Sequence, residues 1–434
     1  MTEPPRPLGL RWPRHTSLAI WLAWLGGALA VTLPLFRWHL EFARERHPAL
    51  FWAFFGALVM VGFVLPLMYD RLRPYVGGAE PVILGAAAVV IPFPYEPLAT
   101  AVVAWLYLAA YGIGRFARES LRLETESPAE EIALSSALGV GVLVWPLALL
   151  GHLHLYRPGV FVLLLAIPSL AFQGQIRRLW NEVREIQRRW RDTATDNRLA
   201  ALAVILAAVL LAAGLAVALA PNITFDPLRF HLPLASHYAS EGGLTPLAWD
   251  AYGYNPQNFE MLLALAHSLA GQPAAQLVTP PVFLLFLMTL YVVVRRCGFS
   301  RMPAVVAGVF AAATPFLHAT GVNVKNDLAV AFVQLCALLC FLRWRRTRDF
   351  RWISAGVFLA ATTMGFKHPA AFGLIGLGLL YAHACWRDPR RLRAVASCAA
   401  IFLAVAPFWL VRSYVLTGDP VRYYNLEQPL PPEH

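Results

Sequence analysis

The feature that most constrains this chain is a series of apolar runs, most of them near 20 residues, that recur along its length. A run of about 20 residues crosses a hydrocarbon core of ~30 Å as a helix. Lipid offers no partner to a backbone N–H or C=O, so only helices and closed barrels cross it, and these runs are too long for barrel strands. The pattern predicts an all-α polytopic membrane protein with about 13 transmembrane helices. They fall over 16–36, 50–69, 82–94, 98–114, 132–151, 154–172, 199–220, 276–294, 302–318, 327–343, 352–364, 369–386 and 395–412. Pro92, Pro94 and Pro97 interrupt the third and fourth runs, which reads as a tight hairpin or a re-entrant element. Composition agrees. The chain is 58% hydrophobic and 14% charged, with mean hydropathy +0.56, whereas a soluble domain is about half apolar and a quarter charged.

Basic residues give the orientation. With the N-terminus in the cytoplasm, alternate loops hold 27 of the 36 lysines and arginines, including seven arginines between Arg177 and Arg198. A three-to-one bias places those loops on the cytoplasmic side. The pI of 9.7 then reflects loops facing anionic lipid and requires no nucleic acid. Ala28-Leu29-Ala30 could serve a signal peptidase, but an uncleaved first helix is the preferred reading. The five cysteines lie in spans or on the cytoplasmic side. Cys336 and Cys340 share a helix face without another soft ligand near them in sequence, and read as buried small hydrophobes.

The chain divides at 173–198. Ile176, Leu179, Trp180, Val183, Ile186 and Trp190 recur at helical spacing among arginines, which predicts an amphipathic helix on the cytoplasmic leaflet. Residues 1–172 read as a scaffold of about six spans. Residues 199–434 read as the working region, with a long extracytoplasmic loop over 221–272 that carries short interfacial helices.

That loop supplies Asp226, Arg229, His231, His237, Asp250, Tyr252, Tyr254 and Glu260 at the level of the membrane surface. Asp226 reads as a helix cap, as a solvated loop acid, or as a general base for an acceptor hydroxyl. Asp327, in Asn323-Val324-Lys325-Asn326-Asp327, could cap the following helix, hold a cation, or orient the first carboxylate. Lys367 could snorkel, and Arg412 could anchor the last span at the interface. The chain has only two lysines against 34 arginines, and both lie on the outer face. A compact ammonium suits phosphate as a point charge, and a guanidinium grips it as a planar fork. Carboxylates and cations at the depth of lipid phosphate suit chemistry on a lipid-linked phosphate.

These segments resemble the GT-C-type integral membrane glycosyltransferases, a superfamily that includes polyprenyl-phosphate-mannose protein mannosyltransferases, lipid A aminoarabinose transferases and bacterial relatives. FDPLRFHLPLASHYASEGGLTPLAWDAYGYNPQNFEMLLALA resembles their first outer loop, and NVKNDLAVAFVQLCAL their second acidic loop. GFKHPAAFGLIGL resembles their lysine-bearing turn, and PFWLVRSYVLTGDPV their aromatic-x-x-Arg segment. The matches keep the family's order over roughly 199–425. The resemblance implies an inverting transferase in the bacterial inner membrane. It would move a sugar from a polyprenyl-phosphate donor to a lipid, glycan or protein acceptor on the extracytoplasmic side. It makes Asp226 the catalytic base and Asp327 the second acid. Arg229, His231, His237, Tyr254, Glu260, Lys325, Lys367 and Arg412 become candidate substrate contacts. The acids leave room for a divalent cation as cofactor. The family usually places its catalytic Asp after the first span, whereas six spans precede this one. Family members also usually continue with further spans or an outer domain beyond the point where this chain reaches QPLPPEH. A transporter or flippase of lipid-linked saccharide is the alternative, and would need polar groups inside its spans. A non-catalytic partner in envelope assembly is the third reading.

Overall fold

The computed structural model describes residues 92–194, 198–246, 250–386 and 391–422. The expected spans 16–36 and 50–69, and nearly all of 82–94, lie outside the described residues. The described residues belong to one compact unit, Gly78–His434. Among them regular structure is helical throughout, with no strand.

Fifteen α-helices follow one another in the described residues: α1 Pro97–Ser120, α2 Pro128–His152, α3 Pro158–Ala171, α4 Gln173–Ala194, α5 Arg198–Leu219, α6 Leu232–Glu241, α7 Asn258–Leu277, α8 Thr279–Arg296, α9 Arg301–Ala313, α10 Pro315–Val322, α11 Asp327–Thr347, α12 Phe350–Thr363, α13 Ala370–Trp386, α14 Arg391–Val405 and α15 Phe408–Thr417. A π-helical turn, Pro227–His231, precedes α6, and a 3₁₀ turn, Ala251–Tyr254, precedes α7. Among the described residues four helices (α1, α2, α8 and α11) are long and apolar enough to cross a membrane, or up to seven spans if each bent pair counts as one.

Local chemistry explains where these helices begin and how closely they pack. The Ser127 hydroxyl accepts from Glu130 N–H, Pro128 follows it, and Glu130 and Glu131 occupy the first turn of α2, all of which favour a helix start. Between α1 and α2 the backbones nearly touch. A Cβ on Gly114 would lie 1.7 Å from Ser135 O, and one on Gly139 would lie 1.6 Å from Ala110 O. Small residues permit this approach, and in lipid such close packing replaces the hydrophobic drive.

Two expected straight spans are bent. The run 302–318 becomes α9 and α10, which meet at 71° across Thr314-Pro315, and the run 395–412 becomes α14 and α15, which meet at 42° across Ala406-Pro407. A proline removes an N–H and clashes with the preceding turn, so each bend falls where the sequence places one. The amphipathic segment leaves α3 at 72° as α4. The expected loop 221–272 does not remain a loop to its end, because a 20-residue helix begins at Asn258. That helix is α7, which runs past the expected loop end to Leu277; in it Phe259 to Ala266 are buried to 3% exposure or less, and Ala270 and Gly271 break the helical geometry.

The bundle has two chemically distinct ends. Arg296 closes α8 and Arg343 and Arg346 lie near the end of α11; all three pair with Glu126, just ahead of α2, and Arg296 also reaches Glu130. Arg118 near the end of α1 pairs with Glu131 at 2.8 Å. Helix α4 docks at this same end through Arg115–Glu182 and Arg178–Glu119. Helix α11 has 21 residues, so its first residue, Asp327, stands about 30 Å from this arginine-rich end. Helices α1 and α2, from the expected scaffold half, pack directly on α7, and α2 also packs on α8, α11 and α12.

Candidate functional site

The end of the bundle opposite the arginines carries two acid–lysine pairs. After α5 the Asn222 side chain accepts from Thr224 N–H, turning the chain, and Pro227 then starts the π-helical turn. Asp226 stands at the head of that turn but makes no capping bond. Its carboxylate instead lies 2.8 Å from Lys325 Nζ. Asp327 is the first residue of α11, and the cap position that the sequence offered it is taken by Asn326; its carboxylate accepts from Lys367 Nζ at 2.7 Å. The Cα atoms of Lys325 and Asp327 can be no more than ~7.6 Å apart, since two peptide steps separate them. The two ion pairs are therefore neighbours.

Helix polarity suits this arrangement. Asp327 and Asp226 sit at helix starts, where negative charge is favoured, and Lys367 follows the end of α12, where positive charge is favoured. The pairs remain open to approach. Side-chain exposure is 34% for Asp226, 23% for Lys325, 38% for Asp327 and 37% for Lys367. Ile223, Phe225 and Leu228 flank Asp226 with their apolar side chains exposed. An acid set among exposed apolar residues at a helix end suits the boundary between lipid and water.

The other residues singled out from sequence are mostly engaged elsewhere. Arg412 is buried, and its two terminal nitrogens donate to Gly253 O at 3.0 Å and Leu244 O at 2.8 Å. This use competes with the expected grip on a phosphate. The His231 ring lies 2.7 Å from Glu260, and both side chains are almost wholly buried. Arg229 pairs with Asp250, which also accepts from Tyr252 N–H. Tyr252 stacks on Phe230 at 4.1 Å between centroids. Tyr254 is buried, and burial raises its phenol pKa against the opposing pull of Arg412 and Arg422. His237 Nε2 is buried with no hydrogen-bond partner among the described residues. Burial lowers the pKa of His368, beside Lys367, disfavouring a charged ring. Arg229, His231, Glu260 and Arg412 thus tie parts of the loop to one another and to α7 and α15.

Several amides that sequence reasoning left unassigned do the joining. Gln257 donates to Tyr252 O and Asn255 O and accepts from Tyr238, fastening the 3₁₀ turn to α6. Asn258 donates from its backbone to Gly365 O at 2.8 Å and from Nδ2 to Thr362 O, and accepts from Trp409. Asn326 donates to Phe366 O at 2.8 Å. The concentration of amides in Asn255-Pro-Gln-Asn258 was the available signal, since polar groups entering a buried helix must find partners. Beside this junction lies a narrow cleft lined by Trp145, Asn258, Thr362, Gly365, Phe408 and Trp409 among others; the two acids and two lysines do not line it. Among the described residues no three His, Cys, Asp or Glu side chains are placed to hold a metal ion.

Residues 255–419 match the family described as dolichyl-phosphate-mannose-protein mannosyltransferase. The matched segment is just over a third of the chain; it contains Lys325, Asp327, Lys367 and Arg412, while Asp226 precedes it. No curated protein and no solved structure matches the chain.

Proposed function

We propose that this protein is an inverting membrane glycosyltransferase that moves a sugar from a polyprenyl-phosphate donor to an acceptor hydroxyl. The observation that carries the reading is the double pairing of Asp226 with Lys325 and Asp327 with Lys367. The chain's only lysines and two of its membrane-level acids meet at one end of a helical bundle. The partial match to a family of lipid-phosphate-sugar transferases supports it.

In this mechanism the donor phosphate draws Lys325 and Lys367 to itself. Ammonium groups stabilise the charge that the phosphate gains as it leaves. Departure of Lys325 also frees Asp226, whose carboxylate is otherwise neutralised by its partner. The acceptor oxygen attacks the anomeric carbon, its proton passes to Asp226, and the carbon–oxygen bond to phosphate breaks with the electron pair on phosphate. A single displacement of this kind inverts the anomeric centre. Asp327 holds Lys367 in place and takes it back when the product phosphate leaves. The arginine-rich end faces the cytoplasm and the site faces the extracytoplasmic side of a bacterial inner membrane, consistent with the inside-positive rule.

The experiment is Asp226→Asn in nanodiscs, with donor binding and transfer measured separately. The change is nearly isosteric and removes the proton acceptor. Transfer should fall by about 10²–10⁴-fold while polyprenyl-phosphate binding persists. Wild-type turnover in this variant would refute the role of Asp226.

A further inference from the structure

Asn326 lies between the two ion pairs, and its side chain does not do what its position suggests. It is the residue before α11, where an asparagine oxygen ordinarily accepts from the first turn of the helix. No such bond is present. Instead Nδ2 donates to Phe366 O at 2.8 Å, from a residue only 5% exposed. Its Oδ1 is buried and has no hydrogen-bond partner among the described residues. An acceptor buried without a partner is unfavourable, so this geometry is not the one that best stabilises the helix start. It is one that joins two loops.

The join has a particular address. Asn326 directly follows Lys325, and Phe366 directly precedes Lys367. Each lysine Cα is thus one peptide step, ~3.8 Å, from a residue at the tie. Building on the glycosyltransferase reading above, we infer that Asn326 is a positioning residue that sets the separation of Lys325 and Lys367, so that both ammoniums engage one donor phosphate. It touches neither phosphate nor sugar. It acts through the register of the two loops.

The fold allows this role to be tested apart from folding. The turn that carries Lys367 is held independently by Asn258, which donates to Gly365 O and Thr362 O. Lys367 also keeps its own bond to Asp327. Loss of the Asn326 tie therefore loosens the register of the two lysines and leaves each loop anchored.

The test is a double-mutant cycle on the full chain in nanodiscs, with sugar-free polyprenyl phosphate as the probe. Asn326→Ala should weaken binding by about three- to tenfold, the worth of one lost hydrogen bond expressed as affinity. In a Lys367→Gln background the same change should weaken binding by less than about twofold, because the lysine through which it acts is gone. Donor KM should rise in Asn326→Ala by more than kcat falls, because the change shifts where the two ammoniums meet the phosphate and removes neither of them. Should the alanine variant fail to fold, Asn326→Ser, which caps α11 and lacks the reach to Phe366, takes its place in the cycle. Equal losses in both backgrounds, or no loss beside wild type, overturn the positioning role alone. No saturable binding of polyprenyl phosphate to the wild type overturns the glycosyltransferase reading and this role with it.

Discussion

Replacing Arg412 with alanine removes two hydrogen bonds that hold the segment around Leu244 and Gly253 to the last helix. Both acceptors are backbone carbonyls in buried residues, and Arg412 itself is 7% exposed. Without the guanidinium they face a void with no replacement donor. A hydrogen bond to a charged group contributes about 1.5–3 kcal/mol, so losing both costs about 3–6 kcal/mol of local stability. The Trp409 ring, 5.5 Å from the guanidinium carbon, loses a cation contact as well. Arg412→Lys should recover only part of this, because one ammonium cannot reproduce a fork that meets two carbonyls. Hydrogen exchange is the assay. Amides from Tyr252 to Asn258 should exchange faster in Arg412→Ala, and the apparent melting temperature in detergent should drop. Binding of polyprenyl phosphate should weaken only in proportion to the loosened loop. Unchanged exchange and melting, together with binding at least tenfold weaker, would refute the structural account and return Arg412 to the donor phosphate.

Three further outcomes follow from the same geometry. Asp327→Asn should alter stability by less than about 1 kcal/mol, because both partners of its ion pair are more than a third exposed; donor KM should change more than melting temperature, and the reverse pattern would make the pair structural. Gly139→Val should abolish well-folded protein, because its Cβ would meet Ala110 O at 1.6 Å; a monodisperse variant with wild-type melting would show that α1 and α2 pack differently. A reporter inserted near Arg189 should read as cytoplasmic and one fused after His434 as extracytoplasmic, and either result reversed would overturn the orientation.

The parts of the site that were legible in sequence are those that depend on local pattern. Asp226, Lys325, Asp327 and Lys367 all lie just beyond or at the start of apolar runs, and that local pattern is what groups them as candidates in the sequence. Helix α4 was legible for the same reason, through apolar residues at helical spacing among arginines. The bends at Pro315 and Pro407 were signalled by prolines, but their angles depend on what each half packs against. Arg412 shows where local reading runs out. An arginine at a span end looks the same in sequence whether it grips a phosphate or two carbonyls.

The apolar runs by themselves determine that this chain is a helical membrane protein, because lipid leaves the backbone no other way to satisfy its polar groups. The scarcity of lysine marks two positions out of 36 basic ones as unusual. Tertiary structure alone decides the partners: Asp226 with Lys325, Asp327 with Lys367, Asn326 with Phe366 O, Arg412 with Gly253 O and Leu244 O. Which carbonyl is left without a donor, and which carboxylate lies within reach of an ammonium, depends on how helices distant in sequence come together. That is a property of packing, and no local pattern encodes it.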